Sequence, residues 1–321
     1  MKVLVIPGLT LPEVAEVDIE RIRVAAGADS EVIVTKQRDA ADHASEAEVI
    51  LGFVPERLFQ AAPKLRWVHA IASGVDAFLY PEFVNSNVVL TSEKGLVGEH
   101  LADHGFGLLL MLTRQLAAAD RMGPDSWNHR PELRIQEMEL TGSTMGIIGF
   151  GGTGRAMARR AAAFGMTVRA LDRDPVPASP EVEIVESVDE LNNLLAGSDV
   201  VAVCCPLTVA TAGMLNAEAF RHMKPTAFLV NVTRGEVMVE ADLIDALKSG
   251  TIKGAALDVT PREPLPPESE LWSLPNVVMT PHTAGASQFR ARRNLERFIT
   301  NLEQLNRGEP LEGIIDKVEG Y

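Results

Sequence analysis

Three ionisable residues are placed to do proton and anion chemistry together. Arg234 lies in Asn231-Val-Thr-Arg-Gly235, Glu263 in Asp258-Val-Thr-Pro-Arg-Glu-Pro264, and His282 in Thr280-Pro-His-Thr-Ala-Gly285. Each follows an apolar run that reads as a strand, and open α/β sheets bind ligands beyond the C-terminal ends of their strands. A cation can hold a carboxylate, an imidazole can move a proton near neutral pH, and a neighbouring carboxylate favours the charged imidazole. Singly, each has a plainer reading, since a loop Arg or Glu is ordinarily solvated and one His is often only a satisfied polar residue. Their shared position after successive strands makes them a candidate catalytic set.

A second motif supplies a place for a nucleotide. Gly149-Phe-Gly151-Gly152-Thr153-Gly154 follows the apolar Met145-Gly-Ile-Ile148 and opens a helical stretch. In G-x-G-x-x-G the first glycine permits a tight turn and the second lets backbone approach a pyrophosphate. The third lets helix pack on strand, and the helix N-terminus favours the phosphate charge. Asp172 ends the next strand, close to the roughly 20-residue spacing of a ribose ligand. Its carboxylate can accept from both ribose hydroxyls and would repel a 2′-phosphate, which favours NAD. Arg173 could take that phosphate, which leaves NADP open. A tight glycine turn beside a surface aspartate is the plainer alternative, and the strand–turn–helix context weighs against it.

The elements that must position these residues form two series. Residues 3–6, 31–35, 49–53 and 67–71 read as strands, with helices at 14–25 and 55–62 between them. This alternation indicates a parallel sheet with helical crossovers. Residues 95–122 read as one long helix with an apolar stripe. Residues 123–136, with Pro124, Trp127 and Pro131, read as looser chain, and the two together as a bridge between domains. The second series has strands at 145–150, 167–171, 200–204, 227–232, 254–259 and 277–280. Its helices are expected at 152–164, 188–196, 217–222 and 240–249, which suits a doubly wound sheet. A last helix is expected at 287–306.

Bulk properties agree with two globular domains. The 321 residues are 46% hydrophobic and 23% charged, enough for a sizeable core. A net charge of −14 with no Lys/Arg-rich run argues against a nucleic-acid or anionic-membrane surface. Cys204 and Cys205 are adjacent and make no disulfide framework, which fits a cytoplasmic protein. The apolar run at 1–6 is too short for a signal peptide, and that at 106–112 too short to span a membrane. His100 and His104, beside Glu99 and Asp103, could share a metal on one helix face. No third ligand is evident, so no metal is expected and packing is their expected role.

In this order, the segments 149–154, 231–235, 258–264 and 281–285 resemble the D-isomer-specific 2-hydroxyacid dehydrogenases. Ser73-Gly-Val-Asp76, Cys205-Pro-Leu-Thr208 with Thr211, and Leu140-Thr-Gly-Ser-Thr-Met-Gly146 agree with that family. The closing Asn301-Leu302, Gly308-Glu-Pro-Leu311 and Ile315-Asp-Lys-Val-Glu-Gly-Tyr321 are similar to its glyoxylate/hydroxypyruvate reductase-like branch. The likeness runs from about residue 45 to the end. It implies an α/β protein of two doubly wound parallel-sheet domains. A Rossmann nucleotide domain (97–286) is inserted into a smaller flavodoxin-like substrate domain (1–96 and 287–321).

The resemblance also implies roles. Arg234 would bind the substrate carboxylate and polarise the 2-keto oxygen. His282 would be the acid in reduction and the base in oxidation, with Glu263 as its partner. Backbone amides of Ser73 and Gly74 would hold the carboxylate of a small 2-keto or 2-hydroxy acid. Asp258 and the Val232 carbonyl would fix the nicotinamide carboxamide, and Thr211 would help hold the pyrophosphate. The Cys205-Pro206 turn would line the adenosine, while His282 and Ala284 would adjoin the cofactor. Gly152 and Thr153 replace larger residues usual in the glycine loop, and Gly98 stands where alanine is commoner. Both departures bear on cofactor affinity alone. Pairing as a homodimer through 95–136 is expected, with no appended regulatory domain. Among rivals, a corepressor-like NAD-sensing regulator would retain the same site, though no long disordered tail or docking extension is evident here. Formate dehydrogenases have glutamine where Glu263 stands, and a merely structural α/β protein would not need the ordered motifs.

Overall fold

Twelve short strands form two wholly parallel sheets in the computed structural model, which describes all residues from Met1 to Tyr321. The chain divides into one unit made of Met1–Val97 with Ala286–Tyr321, and a second made of Gly98–Gly285.

In the first unit the strands are β1 (Lys2–Val5), β2 (Glu31–Val34), β3 (Val49–Leu51), β4 (Trp67–His69) and β5 (Val89–Thr91). Their order, β2-β1-β3-β4-β5, is that of a flavodoxin-like sheet. Strand side chains alternate between faces, so Val3, Val5, Val49 and Leu51 enter one core while Leu4 and Ile50 enter the other. The first of these cores is closed by the helix Arg290–Arg307. Its Leu295, Phe298, Ile299 and Leu302 recur at the spacing of one helical face. Phe298 stacks on Trp67 with ring centroids 5.1 Å apart. The end of the chain thereby completes the unit that its beginning starts.

The second unit holds β6 (Thr144–Ile148), β7 (Thr167–Asp172), β8 (Val185–Ser187), β9 (Val200–Val203), β10 (Phe228–Asn231), β11 (Gly254–Leu257) and β12 (Val277–Met279). Their order is β12-β11-β10-β9-β6-β7-β8, a doubly wound sheet that changes direction between β6 and β9. Strands β9, β10 and β11 are buried at every position, as expected of a sheet covered on both faces. The helix Gly98–Thr113 sends Phe106, Leu108, Leu109 and Leu112 into the core shared with Met145 and Met157.

Several elements differ from the sequence reading. Strands β5 and β8 are not among those expected from sequence. The single helix expected over 95–122 is two, Gly98–Thr113 and Leu116–Met122, because Gln115 adopts a left-handed conformation (φ 54°). The looser chain after it contains the short helix Arg130–Gln136. Both belong to the second unit, whose core the first of these helices helps to build, so they are not a separate bridge. No helix is long and apolar enough to cross a membrane.

Candidate active site

Strands β10, β11 and β12 are neighbours, so the loops after them leave the same edge of the sheet. The loop after β10 is shaped by Asn231. Its Nδ2 donates to the Arg234 carbonyl (2.9 Å) and its Oδ1 accepts from the Thr233 N–H (3.0 Å). Gly235 is the close approach: a Cβ there would lie 1.9 Å from the Thr260 carbonyl carbon, so the loop carrying Arg234 presses on the loop carrying Glu263. Arg234 is half-buried, and its Nη1 donates to the Thr233 carbonyl at 2.8 Å.

Glu263 is held at both oxygens. Oε1 accepts from the Thr260 N–H (3.1 Å), and Oε2 lies 2.6 Å from His282 Nδ1. A carboxylate can only accept, so the proton of that bond sits on Nδ1, and Nε2 is the ring nitrogen that the bond leaves unused. His282 itself has φ +53°, a conformation rare outside glycine, and its N–H donates to the Asp258 carbonyl (2.8 Å).

Asp258 explains that turn. Its buried carboxylate accepts from Thr280 Oγ1 (2.6 Å), the Thr283 N–H (2.8 Å) and the Ala284 N–H (2.8 Å). The resemblance implies contact between Asp258 and a nicotinamide carboxamide. The Asp258 carboxylate has no accessible side-chain area and anchors residues 280–284. Val232 and Ala284 are buried beside this edge.

The glycine loop fits a dinucleotide. Gly149 has φ +93° and packs on Cys205, whose Cα a Cβ would approach to 2.7 Å. A Cβ on Gly154 would meet the Gly149 carbonyl at 2.1 Å, whereas one on Gly151 would meet nothing within 4 Å. The N-terminus of the helix Gly152–Ala163 is therefore open beside Gly151, where backbone can meet a phosphate. The two departures noted in the sequence belong together, because a Cβ on Gly98 would stand 2.4 Å from the Gly152 carbonyl. Thr153 lies within the first turn of the same helix.

At the end of β7, Asp172 accepts from the Phe150 N–H (2.7 Å) and the Asp174 N–H (3.1 Å), which fixes its carboxylate beside the loop. Arg173 pairs with Asp174 (3.1 Å). Cys204 and Cys205 are kept as neutral thiols: burial pushes both up, Cys205 to about 12. The Thr211 hydroxyl donates to the Pro206 carbonyl (2.7 Å) and closes its own turn. In the first unit Ser73 and Gly74 follow β4, in a loop held by the Ala70 N–H on the Thr91 carbonyl (2.8 Å) and by the Glu93 N–H on the Ala72 carbonyl (3.2 Å). Burial, with the Arg297 charge second, lowers His69 on that strand to about 3 and keeps it neutral.

His100 and His104 do not gather a metal set, for no group of three such ligands occurs. His104 instead joins the network under the His282 turn, its Nε2 2.7 Å from Thr280 Oγ1. Sequence reasoning missed His104, Thr280 and Phe150 as parts of the site. Thr280 had a signal in its place at the end of a strand next to Pro281-His282 and Phe150 in its place inside the glycine loop, whereas His104 depends on a contact far along the chain.

Residues 106–284 match the family described as D-isomer specific 2-hydroxyacid dehydrogenase, NAD binding domain. The glyoxylate reductase of Korarchaeum cryptofilum is 38% identical over 264 residues, covering 80% of this chain and 77% of that protein. A D-isomer specific 2-hydroxyacid dehydrogenase of Xanthobacter autotrophicus, solved with NADPH and MES, superposes with a TM-score of 0.83 at 29% identity, covering 99% of each chain. An NADPH-dependent glyoxylate/hydroxypyruvate reductase of Sinorhizobium meliloti, solved with NADP and sulfate, gives 0.80 at 28% identity over the whole of both chains.

Proposed function

Because this chain belongs to the D-isomer-specific 2-hydroxyacid dehydrogenase family and is an NAD(P)-dependent oxidoreductase, we propose that it reduces a small 2-keto acid such as glyoxylate or hydroxypyruvate. The observation that carries this reading is the His282–Glu263 pair at 2.6 Å, on loops leaving the sheet edge beside Arg234. The nicotinamide, when bound, supplies or takes up the hydride. His282 donates a proton from Nε2 to the keto oxygen in reduction and removes it in oxidation, with Glu263 holding the ring through Nδ1. Arg234 binds the substrate carboxylate and stabilises charge developing on the oxygen. On this reading the backbone amides of Ser73 and Gly74 bind substrate, and the first unit is the substrate-binding one. The test is NADH and NADPH oxidation with glyoxylate, hydroxypyruvate, pyruvate and phenylpyruvate. Absence of turnover with all four would overturn the assignment and favour a binding role.

For the cofactor, Asp172 supports NAD over NADP, since its fixed carboxylate would repel a 2′-phosphate. Asp172→Ala is expected to weaken NADH binding about tenfold and leave NADPH binding equal or tighter. Parallel titrations of both cofactors check this, and an equal loss for both would remove Asp172 from the choice.

The residues around 116–136 support a homodimer. Trp127 and Ile135 are 77% and 85% exposed, with Leu116 and Met122 also at the surface. Unpaired apolar side chains of that size are costly to leave in water. Sedimentation at micromolar concentration is expected to give twice the 34.7 kDa chain mass, and Trp127→Glu to shift it towards one chain. A wild-type protein at the mass of one chain would contradict the pairing.

A further inference from the structure

His104, on the helix Gly98–Thr113, is wired into the turn that carries His282. Its Nε2 lies 2.7 Å from Thr280 Oγ1 and 3.4 Å from Asp258 Oδ1. The directions of these bonds follow from the acceptor at the end of the chain. The Asp258 carboxylate only accepts, so Thr280 gives it the hydroxyl proton (2.6 Å). The Thr280 oxygen must then accept from His104, whose proton sits on Nε2. Asp258 in turn holds the Thr283 and Ala284 amides through its side chain and the His282 amide through its carbonyl. His282 keeps φ +53°, which a non-glycine residue holds only where its surroundings impose it.

We propose that His104 is a positioning residue: through Thr280 and Asp258 it holds the 280–284 turn in the conformation that presents His282 to Glu263 and to substrate. The proposal rests on the reading of His282 as the acid–base group. A packing residue at this place would need only bulk, whereas the chain of bonds needs an N–H donor at Nε2.

The test uses the full-length protein with NADH and glyoxylate. His104→Leu is expected to lower kcat about tenfold, with the NADH dissociation constant, read by fluorescence titration, changed by less than about twofold. His104→Gln, whose amide N–H can stand near the place of Nε2, should recover kcat to within about threefold. In a His282→Ala background His104→Leu should cost nothing further, because the group it positions is gone. An unchanged kcat, or an equal loss in both backgrounds, would overturn the proposal. Full activity of His282→Ala would instead overturn the acid–base assignment beneath it. If His104→Leu fails to give a cooperative thermal transition, Thr280→Val breaks the same chain of bonds with almost no change of volume and is read the same way.

Discussion

His282→Ala is expected to lower turnover in keto-acid reduction by about two to four orders of magnitude, the usual worth of a positioned proton donor. The geometry gives this loss a specific character. Glu263 occupies Nδ1, so only Nε2 can serve the substrate, and no second imidazole is placed on these loops to replace it. Removing the ring leaves the backbone bonds from Asp258 to the turn in place, so thermal stability should change little. Reduction consumes a proton that His282 donates and oxidation returns one to it, so turnover in both directions should fall together. Glu263→Gln keeps an acceptor for Nδ1 and should cost less than loss of the ring. Initial rates in both directions check this, and a His282→Ala enzyme with wild-type turnover would sink the assignment.

Arg234→Ala is expected to reduce kcat/KM about a hundredfold to a thousandfold, with KM raised and kcat lowered together. The guanidinium is assigned to two partners, the ground-state carboxylate and the oxygen that gains charge, and only the second bears on kcat. The guanidinium donates to the turn at the Thr233 carbonyl, and other groups hold the turn as well. Asn231 bonds the backbone carbonyl of residue 234, and the packing of Gly235 on Thr260 is independent of the side chain. Loss of activity should therefore far exceed any loss of thermal stability. Arg234→Lys should recover only part of the activity, because an ammonium supplies charge without the planar fork that grips a carboxylate at two points. Steady-state kinetics against the keto acid decide it: a raised KM at unchanged kcat would confine Arg234 to ground-state binding.

Much of this protein was open to reading from local pattern alone. Apolar strands of buried sheets are continuous runs, and the glycine loop joins a strand to a helix within a few residues, so their signals lie in adjacent positions. Arg234, Glu263 and His282 were legible because each closely follows such a strand, and parallel neighbours bring their C-terminal ends to one edge. Length does not explain the two missed strands, since β3, β4 and β12 also have three residues; β8 lacks an apolar run because two of its three residues are Glu186 and Ser187. The break at Gln115 was hidden because a left-handed residue there carries no glycine or proline to announce it.

The sequence by itself determined the fold class, the dinucleotide loop and the residue types at the sheet edge. Only the tertiary structure decided how these are held. It made Asp258 an anchor buried under the His282 turn, joined His104 to Thr280 across 176 positions, and coupled Gly98 to Gly152 through a gap too small for a methyl group. Chemistry-bearing residues declare themselves by type and by place in an element. The bonds that orient them join side chains far apart in the chain, and those distances exist only after the sheets and helices have packed.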